Sequence, residues 1–373
     1  MKHNLLNQVP RSLLPVLGSV ALLTVANADE PSKWQIGGSL DFYYQYDFNK
    51  SPTGTELFGR QYDVKHNNFS LASARVSVVG KPVKDSDAQV TLELQAGRNA
   101  EIDNIAEPGG TERYKYIRQL FLTYPIKGSN VTLDFGKFVT NLGYEVGVSG
   151  DNENYGRSFL FTLAQPLYHT GLRATKPLTK TITATAGVVN GWNEVDDSNG
   201  QMSFFAGLTY APTSSFSVIG TWYGGIEGSS DTGGGIAFPA TGKRKVSIGD
   251  LVATYQVNAN LKLGLNADLA SAGSVDGSDD GNWKGVAGYA KYQFTPKFSL
   301  AARYETFSDY DGLRTGADSL LTSATLTAEY KLDKAMQLRL EYRSDASNRS
   351  FFPSDDLPKK HRNTVSVSVF FRF

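Results

Sequence analysis

The residues best placed to do chemistry are carboxylates and guanidiniums in two different settings. Glu145, Asp151 and Glu153 sit in a glycine-rich stretch, about 139–165, the longest irregular segment of the chain. Arg75, Glu93, Asp134, Arg173, Arg303, Arg339 and Arg343 stand instead inside segments where apolar and polar residues alternate. Acids on a loop that face a ladder of arginines on a wall would set a transverse field across the space between them. Such a field orders the dipoles of water and polar solutes and penalises apolar ones. The expectation is that Glu145, Asp151 and Glu153 face Arg75, Arg173, Arg303, Arg339 and Arg343. Two plainer readings stand beside it: each charge is solvated and merely holds shape, or the loop lies outside and its acids meet only water.

Other constellations fail on spacing. The run from Asp276 to Gly281 starts like a calcium loop, but its twelfth position is Ala287 rather than Glu. Gly242-Lys243-Arg244 lacks the glycine and the hydroxyl residue of a phosphate loop. Gly147-Val148-Ser149-Gly150 is not a nucleophile elbow. His66, His169 and His361 have no metal-ligand spacing among them. No catalytic residue, metal or cofactor is expected.

The elements that must hold these charges have a period of two. Val365 to Phe373 places apolar residues at odd positions and mostly polar ones between; Leu261–Leu269, Met336–Tyr342 and Val90–Ala96 repeat the pattern. Strict alternation means strands with two unlike faces. Seven short connections rich in Pro, Asn, Asp and Ser fall at 81–85, 125–130, 177–180, 211–215, 257–260, 295–297 and 332–334. Eight longer polar stretches alternate with them, at about 49–66, 98–114, 139–165, 191–200, 228–244, 272–282, 310–317 and 347–361. That arithmetic gives sixteen strands, or fourteen or eighteen if one hairpin is misread.

Several features turn alternation into a transmembrane β-barrel. Met1–Ala28 has a basic start, an apolar run and Ala26-Asn27-Ala28 at its end, the form of a secretory signal peptide. Without it the charge balance is −2, and nothing calls for nucleic acid. The rest of the chain, 29–373, contains no apolar run long enough for a spanning helix and no cysteine. Tyr124, Tyr210, Tyr255, Tyr292, Tyr330 and Phe373 stand beside short turns on the apolar face, as a girdle at the lipid–water boundary requires. Short turns then lie in the periplasm and long loops outside. The aromatic C-terminus, Phe373, is similar to the signature read by barrel-assembly machinery. A charge in mid-strand is expensive against lipid, so the alternating charges must line a lumen.

Three stretches carry a family resemblance: Tyr62 to Leu71, Leu133 to Phe138, and Asn154 to Phe161 with Tyr168 to Arg173. They resemble the beta-barrel porin type 2 family, the OmpL-like outer-membrane proteins. The resemblance implies an outer-membrane barrel of a Gram-negative type of cell and a porin. It supplies no substrate. Two of the stretches flank or enter 139–165, which favours an inner structure there, with the loop folded into the barrel.

The expected function is passive diffusion of small hydrophilic solutes and ions across the outer membrane. The rival is a surface binding, adhesion or structural protein whose lumen is plugged. Monomer and homotrimer are both left open, as is the sign of ion preference.

Overall fold

Residues that alternate in polarity form strands whose two faces meet different media, and sixteen such strands close here on themselves. The computed structural model describes residues 34–80, 87–105, 107, 110–228, 243–275, 277 and 280–373. The signal-peptide segment, the turn at 81–85, most of the stretch 228–244 and Asp276, Ser278 and Asp279 of the calcium-like run lie outside the described residues. The strands are β1 (Trp34–Asp47), β2 (Asn68–Gly80), β3 (Gln89–Ala96), β4 (Ile117–Ile126), β5 (Val131–Val139), β6 (Tyr168–Pro177), β7 (Ile182–Val189) and β8 (Ser203–Thr213). They continue as β9 (Phe216–Glu227), β10 (Arg244–Gln256), β11 (Leu261–Ser274), β12 (Gly281–Gln293), β13 (Phe298–Asp309), β14 (Ser319–Lys331), β15 (Met336–Ser347) and β16 (His361–Arg372). Two short helices, α1 (Arg98–Asp103) and α2 (Thr111–Tyr114), decorate the second long loop. Each strand pairs with its sequence neighbour, and β1 pairs antiparallel with β16, Ser39 opposite Arg372 and Asp47 opposite Thr364. No strand of this sheet is left with an open edge.

The faces are inverted relative to a water-soluble sheet. On β15, Glu341 and Arg343 are 2% and 0% exposed, whereas Leu340 and Tyr342 between them are 53% and 47% exposed. On β16, Thr364, Ser366 and Ser368 point inward and Val367 outward. Exposed Leu, Val and Phe in such number are stable only against hydrocarbon, and the closed ladder satisfies every strand's backbone without water. All six girdle aromatics are on the exposed face.

One departure from alternation shapes the interior. Gly136 on β5 has φ +136°, and a Cβ there would stand 2.2 Å from the Leu120 carbonyl oxygen. Only glycine lets the strands approach so closely in that conformation. Beyond it both Lys137 and Phe138 are buried, so the end of β5 turns in toward the lumen and delivers the third long loop there.

Candidate functional site

The third long loop, 140–167, lies inside the barrel and is fixed on two sides. Its apolar side carries Leu142, Phe159, Leu160, Leu163 and Ala164, the last three within a π-helical turn at Leu160–Ala164. These pack on inward apolar side chains of the far wall, among them Val246, Ile248, Trp283, Phe307 and Leu321. The far wall of the lumen is therefore a hydrophobic core. Regular polarity alternation does not announce it, because Val246 and Ile248 occupy inward positions that the pattern reserves for polar residues.

The polar side is held through the loop backbone. Arg339 donates to the Ser149 carbonyl at 2.6 Å and to that of Asn152 at 2.9 Å. Arg303 donates to the Gly156 carbonyl at 2.6 Å, and Arg343 to the carbonyl of Arg157. In return, Glu341 accepts the amides of Tyr155 and Gly156 at 2.6 and 2.9 Å, and Glu305 accepts that of Phe159 at 2.6 Å. Charge-assisted bonds of this kind are about twice as strong as neutral ones. The wall guanidiniums and carboxylates thus fix a loop that has no ladder of its own.

The three loop acids each meet a cation, though only one meets an arginine foreseen for it. Glu145 pairs with Arg303 at 2.6 Å. Asp151 pairs with Arg372 at 2.7 Å, and Glu153 with Lys262 at 2.7 Å while accepting the Tyr144 hydroxyl. Arg75 pairs with Glu93 at 3.1 Å, and Arg173 with Asp134 at 2.8 Å, both along the wall. Asp134 also accepts the Thr123 hydroxyl. Arg339 and Arg343 face loop carbonyls and pair with the strand acids Glu329 and Asp345. The expected ladder therefore splits, with Arg303, Arg339 and Arg343 serving as buried anchors on β13 and β15. The physical reason is burial: in a filled lumen an arginine is held by whichever acceptors lie nearest, strand acids and loop carbonyls for Arg339 and Arg343, and the Glu145 carboxylate as well for Arg303.

Open space lies on the other side of the loop. A cavity lies between the loop and the β1–β5 wall, with about 90 Å³ in which the centre of a water-sized molecule fits. Its lining extends from Gly37, Gly38 and Phe373 at the short-turn rim to Tyr62 and Tyr168 at the roots of the long loops. Arg75, Glu93, Glu145 and Asp151 are in that lining; Glu153, Asp134, Arg173, Arg303, Arg339 and Arg343 are not. Arg118, Lys137 and Arg372 line it as well and were not singled out from the sequence. Arg372 shares the inward parity of Ser366 and Ser368 and was legible. Arg118 is the extra residue of a bulge, where Glu93 pairs with Gln119 and Leu94 with Ile117, and Lys137 follows the Gly136 bend; both escape a strict alternation count.

The first long loop, 48–67, also enters. Arg60 pairs with Asp63 at 2.6 Å and with Asp345 of β15 at 3.2 Å, and all three are buried. Asp345 is further held by Arg343 and Arg362 at 2.6 Å each.

At the mouth of the barrel, in the loop between β7 and β8, burial pushes the Glu194 carboxyl up to about 7. The Ser198 hydroxyl and amide oppose that rise, and the nearby Glu227 carboxylate adds to it.

Comparison with solved structures finds the same barrel fold in several outer-membrane proteins. The channel DcaP of Acinetobacter baumannii is similar with a TM-score of 0.61 and 14% identity, covering 94% of this chain and 100% of that one. An anion-selective porin from Comamonas acidovorans gives a TM-score of 0.61 at 12% identity, over 91% and 99%. The trimer form of OmpT from Vibrio cholerae gives 0.59 at 14% identity, over 91% and 99%. At these identities the likeness is one of fold. No curated protein sequence matches the chain. The model of the family described as "Putative beta-barrel porin-2, OmpL-like" matches residues 33–373, the whole of the barrel just described. The chain belongs to that family of outer-membrane porin-type barrels.

Proposed function

We propose that this barrel lets small hydrophilic solutes and ions diffuse passively across the outer membrane, through the space between the third loop and the β1–β5 wall. The observation that carries the reading is the cavity itself, which reaches from the short-turn rim to the loop roots and is lined by charged and amide side chains. Glu145 and Asp151 from the loop, with Arg75 and Glu93 from the wall, form its constriction. Fixed charges of both signs facing one another across a narrow space favour polar solutes over apolar ones. No energy coupling is needed for such a route.

A second reading has an observation of its own. The far half of the lumen is packed with apolar side chains and sewn to the loop, which suits a plugged barrel acting as a surface or structural protein. Planar-bilayer recording of the purified barrel separates them: stable conductance steps support the channel, and a silent, well-folded barrel supports the rival. Membrane lipid around the apolar face, barrel-assembly machinery at Phe373 and a homotrimer are the partners proposed. Cross-linking in the membrane tests the trimer.

A further inference from the structure

The passage offers hydrogen-bond donors more freely than acceptors. Glu145 is matched from behind by Arg303 and accepts the Ser158 amide at 2.7 Å. Glu93 is shared by two guanidiniums, Arg75 at 3.1 Å and Arg118 at 2.6 Å, and also takes the Gln119 amide at 2.7 Å. Asp103 accepts the Tyr62 hydroxyl at 2.6 Å and the Gln95 amide at 2.9 Å. Among the described residues, Asp151 Oδ2 is the buried lining side-chain acceptor without a partner, on a carboxylate already paired with Arg372.

The cations are less fully used. Nε and Nη1 of Arg75 are buried and meet no acceptor. The Lys137 ammonium is 2.8 Å from Asn104 Oδ1 and 4.0 Å from the centre of the Tyr168 ring, and no ion pair forms at it among the described residues. An ammonium has three donors, so at least one is free. With Glu145 matched by Arg303, the cationic Arg75, Arg118, Lys137 and Arg372 face the acidic Glu93, Asp103 and Asp151. A buried guanidinium with unfilled N–H groups gains most from an oxyanion, which supplies charge and several lone pairs together.

We propose that the stretch of passage around Arg75 and Lys137 is a binding site for small oxyanions, carboxylates or phosphates, and that it makes the channel prefer anions. The preference rests on the channel reading above; the binding site stands without it.

The test uses the full barrel in detergent and in a planar bilayer. Titration calorimetry with sodium phosphate and, separately, sodium succinate reads binding and distinguishes the two kinds of oxyanion; reversal potentials in a potassium chloride gradient read preference. Saturable binding of at least one anion is expected, weakened about tenfold or more in Lys137→Met and Arg75→Gln. Lys137→Met breaks no ion pair, so it remains informative if Arg75→Gln disturbs Glu93. A chloride-directed reversal potential that collapses toward zero in Lys137→Met completes the case. A conducting barrel that binds neither anion and prefers potassium overturns the proposal and leaves the channel intact. Binding without conductance keeps the site and removes the channel reading. Binding unchanged in both variants overturns the site.

Discussion

Replacing Arg303 by alanine probes how firmly the third loop is held. The guanidinium is fully buried, bonded to Glu145 and to the Gly156 carbonyl at 2.6 Å each, 3.3 Å from Glu305, and donates to Thr325 at 3.2 Å. Its removal strands Glu145 and Glu305 without their nearest cation in a dry interface. Breaking one side of a buried pair in this way costs about 3–5 kcal/mol. The apolar docking of Phe159, Leu160 and Leu163 remains, at about 1.5–3 kcal/mol for each buried side chain. The loop should therefore stay in the lumen but open locally around Glu145–Gly156. A loss of about 3 kcal/mol corresponds to roughly a hundredfold faster hydrogen exchange at those amides. Exchange in the paired strands should not change, because the β-ladder does not depend on this contact. Arg303→Met with Glu145→Gln should recover part of the loss, since no charge at Glu145 is then left unpaired. Exchange at Tyr155–Ser158 in Arg303→Ala that matches the parent, with channel noise unchanged, would refute the anchoring role.

Three further outcomes follow from the geometry. Leu340→Arg puts a cation on the lipid face of β15 and should cost about 2–4 kcal/mol near the bilayer midplane, read as a lower urea midpoint for folding into lipid vesicles; an unchanged midpoint would contradict the assigned face. Gly136→Ala forces a Cβ against the Leu120 carbonyl at positive φ, so the yield of folded barrel should fall by several-fold, and Gly136→Asn should be tolerated no better, because the clash is with backbone. For Glu194, a carboxyl lifted from 4.5 to about 7 holds a proton in the folded state that the open loop gives up. The 190–202 loop is then best held below pH 4.5 and loosens as pH rises to about 7, by about 3 kcal/mol at most. The protection of the Ser198 amide, its exchange relative to an unstructured peptide at the same pH, should fall over that range in the parent and stay flat in Glu194→Gln; a flat parent profile would sink this account.

How much of this was legible in the sequence depends on the residue. Leu340, Glu341, Tyr342 and Arg343 declare their faces by alternation alone, because a strand's side chains point to opposite sides whatever surrounds it. The described hairpin turns were legible for the same local reason, and with them the count of sixteen and the girdle tyrosines. Glu145, expected to face a set of wall arginines, meets one of them in Arg303, because charge at membrane depth has few affordable places. Arg339 and Arg343 were placed in the lumen correctly but given the wrong partner, since a local pattern says where a side chain points and not what comes to meet it. Lys137 and Arg118 were missed because a glycine bend and a bulge shift the parity at which they stand.

A sixteen-stranded barrel with an apolar outside and a charged inside is thus written in the residues, since both follow from period-two polarity and short turns. That 140–167 is sewn to the β10–β15 side by an apolar core and backbone-directed charges, leaving the remaining space along β1–β5, emerges only in the folded barrel. That choice depends on contacts between residues more than a hundred positions apart, such as Glu145 with Arg303 and Tyr155 with Glu341. No local periodicity encodes which wall a loop will lean on, because shape and charge matching across the lumen exist only after the barrel has closed.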